Sequence, residues 1–503
     1  LKRATIKSLT DFAFAERLFE VLASRMIFLT CERREDSSKD PRPISLVALL
    51  AIILLCFALD GGAAVTVYPS PRGVAGSANY RVEVLDGEKF VPLFVNRSAA
   101  QKPDSNSHPE AAFASFAFTE KVTVRVTKMY GPVPTKVVVL PSSRQITAKL
   151  SNRSATFELT KPGQFSVEFD NDLRVPMLIF ADPPETNVPD RNAPGVKWFD
   201  AGVHVLPNGE LKLGADETAY LAPGAVVYGR ILGQGKNIRI LGRGILSGER
   251  IRWASNPDRQ KLHLCIFERP SHDLVVDGPT FINSPAYNLS IKGLRARVSN
   301  VKMIGWWFNT DGVQAWGDSV VEDCFLMCND DSLKLYMSGM SVKRCTIWQL
   351  ENGAPFQISW NMPNDNSGFT ISDCDVIRTE HRWKNQNTAV FCAIHGGNGK
   401  MSNYVFDDIR IENVPFRVWN VTIQTNEFAK GQIPGNISGL TFRNIKIGQA
   451  TQMPNTFKGL NASSTISGVT FENIILPGGK RMTNPQEAKI EWDAATVKNV
   501  SVR

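Results

Sequence analysis

Two short acidic motifs carry most of the chemistry in this sequence. Asn309-Thr310-Asp311-Gly312 closes one repeating unit, and Asn329-Asp330-Asp331-Ser332 occupies the next. If one turn of a coil separates them, they sit on adjacent rungs, ~4.8 Å apart along the axis. Three carboxyl groups then crowd one patch, and like charges that close cannot all ionise cheaply, so at least one pKa must rise. A protonated carboxyl beside ionised ones is what general acid/base hydrolysis of an acetal requires. Asp-Gly and Asn-Asp are also ordinary turn residues. Either motif alone reads as a turn; together, one coil apart, they point to catalysis. Strict β alternation would send Asp330 and Asp331 to opposite faces, so joint use requires irregular backbone there. A charge driven into the coil interior would instead be costly.

The elements that must position these acids are visible as a repeat. The phrases VSNVKMIG, VVEDCFLM, SVKRCTIW, TISDCDVI, VFDDIRIE, LTFRNIKI, VTFENIIL and VKNVSVR share one pattern: apolar, polar pair, apolar, polar, apolar. Their centres, Asn300, Asp323, Arg344, Asp373, Asp408, Asn444, Asn473 and Asn499, recur about every 20 to 36 residues, within the solenoid range. Strands this short cannot bury a hydrophobic face alone, so successive turns must stack. Helical periodicity is nearly absent, and parallel β crossovers are right-handed. The expected fold is therefore all-β, with a right-handed parallel β-helix over residues 191–503. Residues 65–190 carry alternating β-like runs such as YRVEVLDG, KVTVRVTKMY and QFSVEFDND between turn clusters, which predicts an N-terminal β-sandwich. The linker falls in the proline-rich stretch Pro183–Asp190.

The chain's 503 residues exceed one ordinary globular core, which agrees with two domains or an elongated repeat. Its net charge of +8 is modest and dispersed; without a block of five or six basic residues, a nucleic-acid partner is not expected. The apolar run Ile44–Leu59, followed by Asp60-Gly61-Gly62-Ala63-Ala64, reads as a secretory signal cleaved near Ala64 within a leader of residues 1–64. The mature protein would then be secreted, periplasmic or on the cell surface, with no membrane segment. Six cysteines follow the leader. Cys324, Cys345 and Cys374 fall in equivalent repeat slots, which suits free thiols packed in a stacked core. Cys324 and Cys328 lack the second ligand pair of a zinc site. No metal site and no cofactor are expected.

The run NTDGVQAWGDSVVEDCFLMCNDDSLKLYMSGMSVKRCTIWQLENGAPFQISW resembles glycoside hydrolase family 49, the dextranases and isopullulanases. The matching elements are the TDG, the NDDxxK, the Tyr336 segment, the TIW and the Gln357/Trp360 pair. The resemblance covers both domains and is most specific between about residues 305 and 360. It implies an inverting hydrolase of an α-glucan polysaccharide such as dextran, with Asp330 as general acid and Asp311 and Asp331 as the base pair holding the attacking water. Lys334, Tyr336, Asn309, Gln357, Trp360 and Trp383 are the expected substrate-binding residues. Trp306, Trp307, Trp316 and Trp348 also flank the acids, and flat rings suit the apolar faces of pyranoses. About half of these aromatics are expected to be packing instead.

The related polygalacturonases of family 28 share the fold and the acid arrangement. Where they carry Gly-His-Gly, this chain has Glu351-Asn352-Gly353; where they carry Arg-x-Lys to grip a uronate, it has Arg410-Ile411-Glu412. A neutral glucan therefore fits better, although Lys334, Arg378, Arg382 and Lys384 offer positive charge to an acidic or sulfated sugar. A non-catalytic glycan-binding β-helix is the alternative from another functional class, and a calcium-dependent lyase a further one. Nothing in the sequence sets the oligomeric state.

Overall fold

The computed structural model describes residues 65–100, 108–251, 262–382 and 387–503. The expected leader, together with Trp383 and Lys384, lies outside the described residues. Among those described, no helix is long and apolar enough to cross a membrane. The chain adopts the expected all-β architecture, a β-sandwich followed by a parallel β-helix.

The sandwich pairs a five-stranded sheet, built around Tyr80–Asp86, Val122–Lys128 and Ser154–Leu159, with a six-stranded sheet around Glu110–Ala117, Met177–Asp182 and Gly163–Phe169. Alternate residues from the two inner faces, among them Val82, Val124, Phe157, Phe116, Val167 and Ile179, form one core. The strands Gly163–Phe169 and Met177–Asp182 are buried at every position, because the outer face of their sheet is covered too.

That cover is the β-helix, a single sheet system of 28 strands. All eight repeat centres adopt left-handed backbone, with φ between 51° and 55°. Asn and Asp tolerate this conformation better than other side chains, which is why they dominate the slot. Arg344 is the exception in kind, and its guanidinium bonds Asp323 and Glu322. The kink delivers the following residue inward: Val301, Cys324, Cys345, Cys374, Ile409, Ile445 and Ile474 line the interior. The six cysteines from Cys265 to Cys392 are buried, and none of them is disulfide-bonded.

One face of the coil, through Ile304, Phe325, Met327, Ile377 and the indoles of Trp306 and Trp348, packs on Phe113, Leu178 and Phe180 of the sandwich. Burying each such phenylalanine stabilises the junction by roughly 1.5–3 kcal/mol. Polar contacts close its edges. Trp306 Nε1 donates to Ser98 Oγ (3.0 Å), Arg378 pairs with Glu168 (2.6 Å), and Lys302 pairs with Asp182. The sandwich thus braces the strands from which the acidic turns emerge.

Candidate active site

Asp311 stands in the turn between Lys302–Ile304 and Val313–Gln314, and Asp330 and Asp331 in the turn between Phe325–Cys328 and Leu333–Lys334. Val313 pairs with Leu333 and Gln314 with Lys334, while Gly312 N–H donates to the Asp331 carbonyl at 3.0 Å. The two turns are therefore stacked one rung apart. A Cβ on Gly312 would strike the Ser332 carbonyl oxygen, which accounts for the Asp-Gly pair. Neither Asp330 nor Asp331 lies in a strand, so alternation does not separate them. One carboxylate oxygen from each of the three acids lies within 4.8 Å of the others.

The irregular turn is held by a polar frame. Gln349 Nε2 donates to the carbonyls of Cys328 (3.0 Å) and Asp330 (2.9 Å), and its Oε1 accepts from Ser332 Oγ (2.7 Å). Asn329 Nδ2 donates to the Trp306 carbonyl (2.7 Å), and its Oδ1 accepts from Asn352 N–H (3.0 Å). Gly353, at φ +84°, lies against the Asp330–Asp331 peptide, where any Cβ would collide. His381 Nε2 secures the Gly353 carbonyl at 2.8 Å.

The three acids have different surroundings. Asp330 is 8% exposed, against 1% for Asp311 and Asp331, so it stands nearest to solvent. Its Oδ2 accepts from Asn352 Nδ2 (2.8 Å) and Asn309 N–H (3.1 Å), and its Oδ1 from Asp331 N–H (2.9 Å). Asp331 Oδ1 accepts from Ala354 N–H (3.1 Å), and the Trp360 indole N–H also bonds this carboxyl. Asp311 depends on Lys334, whose Nζ lies 2.5 Å from Asp311 Oδ2 and 3.6 Å from Asp331 Oδ2. Lys334 also donates to Tyr287 Oη at 2.8 Å.

Burial raises all three acid pKa values, and Lys334 works against it. Asp311 is held well above the usual carboxylate range, with Asp330 and Asp331 adding repulsion. Asp331 is pushed up to about 7. Asp330 is raised too, opposed by Lys334 and then by its three hydrogen bonds. Burial alone would discharge Lys334, but Asp311 and the neighbouring tyrosines and Asp331 outweigh it and hold it charged. Burial lifts Tyr287 to about 12. The cluster titrates as a unit and keeps a proton near neutral pH, as acid/base chemistry demands.

Of the expected binding residues, Lys334 and Trp360 touch the acids directly. Asn309 does so through its backbone N–H rather than its side chain. Tyr336 is buried, its ring 5.5 Å from Lys334 Nζ. Gln357 neighbours Lys334 in register, but its Nε2 turns to the Ser359 carbonyl at 3.0 Å. Trp306 and Trp348 are packing at the sandwich junction, not sugar platforms. Three of the four cations that could meet an acidic sugar are already paired: Arg378 with Glu168, Arg382 with Glu351, and Lys334 with Asp311; Lys384 lies outside the described residues. Arg410 is tied to Asp375 and Asp373. Burial keeps His381 and His395 at about 4, so neither titrates near neutrality.

Sequence reasoning missed Asn352, Gln349 and Tyr287. The sequence marked Asn352 only as a departure from the Gly-His-Gly of polygalacturonases. Tyr287 precedes Leu289, which pairs with Val313; aligning that rung with the NTDG rung would have placed it beside Asp311.

A parallel β-helix carrying a buried three-carboxylate cluster, braced by an N-terminal β-sandwich, defines the structural class. Within it, the chain is similar to isopullulanase of Aspergillus niger, 23% identical over 67% of this chain and 70% of that protein. It is also similar to dextranase of Talaromyces minioluteus, 31% identical over 46% of this chain but only 41% of the dextranase, so less than half of that relative's length is matched. In fold it resembles Dex49A from Penicillium minioluteum, with a TM-score of 0.69 and 21% identity over 87% of this chain and 96% of that one. No family model matches the chain. The resemblance to family 49 read from residues 305–360 is borne out by these named relatives.

Proposed function

We propose that the protein is a glycoside hydrolase that cleaves an α-glucan, with dextran as the favoured substrate, and inverts the anomeric centre. The observation that carries this reading is the convergence of Asp311, Asp330 and Asp331 around charged Lys334. Asp330, the acid nearest solvent, protonates the glycosidic oxygen. Asp311 and Asp331, set deeper, take the proton of the attacking water. Burial raises the pKa of all three acids, and at Asp330 Lys334 and three hydrogen bonds oppose that rise. The proton that Asp330 gives to the glycosidic oxygen is balanced by the one that Asp311 and Asp331 take from the attacking water. A neutral substrate is favoured because Arg378, Arg382 and Lys334 are all engaged by acids. Secretion is proposed with it, from the apolar run Ile44–Leu59 and the small residues after it.

The test is a panel of dextran, pullulan, polygalacturonate and sulfated algal polymers, read for new reducing ends. Turnover of an α-glucan supports the reading, and turnover confined to the acidic polymers overturns it. Carboxyl groups of inverting pairs usually stand ~6.5–9.5 Å apart and those of retaining pairs ~5–5.5 Å. The tight cluster makes stereochemistry the sharpest question, because inversion here requires water and glycosidic oxygen to share one edge of it. Proton NMR of the first product decides: the inverted anomer is expected, and the retained anomer rules out the water mechanism in favour of a covalent one.

A further inference from the structure

Phe428 and Ile433, 59% and 75% exposed, are the two most exposed large hydrophobic side chains among the described residues. They lie on the same short segment after strand Trp419–Ile423. No other phenylalanine, tyrosine or tryptophan among the described residues is as open to solvent as Phe428. A single exposed ring is ordinary by itself; what sets Phe428 apart is how it is held against the rung after the acids.

The ring is displayed rigidly. Phe428 N–H donates to Asn426 Oδ1 at 3.0 Å, and Asn426 Nδ2 donates to the Trp360 carbonyl at 3.2 Å. Asn361 Nδ2 donates to the Phe428 carbonyl at 3.3 Å. These bonds fold a segment from a later coil back onto the rung after the acids, where the Phe428 ring meets Trp360 edge-on, with centroids 5.5 Å apart and planes at 87°. Trp360 packs on Ala354, Ala389, Cys392 and Ile394, and its indole N–H bonds Asp331. An unbroken line runs from the catalytic carboxylates through Trp360 to an open phenyl face.

We infer that Phe428, seated on Trp360, is a sugar platform that holds the glucan chain on the C-terminal side of the bond being cut. The occupant is a neutral glucan segment continuous with the one in the acid cluster: pyranose rings present an apolar C–H face that a flat ring covers, and Trp360 ties the ledge to Asp331. The inference rests on the proposed hydrolase reading and extends it to a subsite beyond the acid cluster.

The experiment compares wild type with Phe428→Ala and Phe428→Trp on dextran or pullulan, whichever the wild type cuts, and on the shortest oligosaccharides it accepts. Loss of one aromatic platform is expected to raise KM on polymer about 5–10-fold, with kcat little changed, short substrates unaffected and Phe428→Trp close to wild type. The exposed position keeps the fold out of the question, which an unchanged melting midpoint checks. An unchanged polymer KM in Phe428→Ala, beside an active wild type, overturns the ledge and leaves the hydrolase reading standing. Absence of glucan turnover by wild type, with no glucan retarding the Asp330→Asn protein in affinity gels, removes both.

Discussion

Asn352 Nδ2 donates to Asp330 Oδ2 across 2.8 Å, from the coil that follows the acid to the carboxyl nearest solvent. The same Asp330 oxygen accepts Asn309 N–H from the preceding coil. Asp330 is thus gripped from both neighbouring rungs, which orients it and lowers its pKa against the push of burial. Asn352→Ala removes one of these donors. Asp330 should then hold its proton to higher pH, moving the alkaline limb of kcat/KM upward, with kcat reduced about 10-fold through loss of orientation. A pH–rate profile checks both; an unmoved limb would show that Asn352 only fills space.

Asp330→Asn keeps the shape and removes the transferable proton. Turnover should fall by ~10²–10⁴, the usual weight of one general acid, while polymer binding survives. Reducing-end assays paired with affinity gels test this, and retained activity would remove Asp330 as the acid.

Lys334→Met tests the cation at the centre of the cluster. Lys334 lowers the pKa values of Asp311 and Asp331, so its loss should raise them further and shift the acidic limb of kcat/KM, which the bases set, to higher pH. Breaking a buried ion pair by removing one partner typically costs about 3–5 kcal/mol. Here the loss should be largest above neutral pH, where the acids would have to ionise without it, and smallest near pH 4. Urea melts at both pH values give the comparison.

Asp331→Asn should stabilise the protein in a defined pH window. The carboxyl is raised from an ordinary value of 3.8 to about 7. The folded state therefore binds this proton more tightly than the unfolded chain, and that contribution is complete below the unfolded pKa and lost as pH rises through 7. The amide has no such titration. Its melting midpoint should exceed that of wild type at pH 8 and match it near pH 4.

Gly353→Ala places a Cβ against the Asp330–Asp331 peptide at a left-handed φ. Activity should drop more than stability, because the displaced atoms belong to the turn that carries the proposed acids; equal activity at lowered stability would show that the turn tolerates the shift.

Much of the fold was legible because its determinants are local. Each repeat centre is a single left-handed residue, and seven of the eight are Asn or Asp, whose tolerance of that conformation holds in any context. The adjacency of Asp311 to Asp330 and Asp331 was equally legible, since counting one coil between the motifs is enough. The aromatics were less so. Trp306 and Trp360 look alike in sequence, yet the first is sealed under the sandwich and the second bonds an acid.

By itself the sequence determined the coil, its pitch, and the three acids that share one edge of it. Short-range backbone preference and a repeating apolar pattern suffice for that. Only the tertiary structure decided how the acids are charged and what surrounds them. Arg378 reaches Glu168 across 210 positions of chain, and its removal from the site follows from docking two domains. The proton held near Asp331 likewise depends on depth of burial and on Lys334 lying 3.6 Å away. Desolvation and charge pairing depend on distance in space, and spacing along the chain does not encode it.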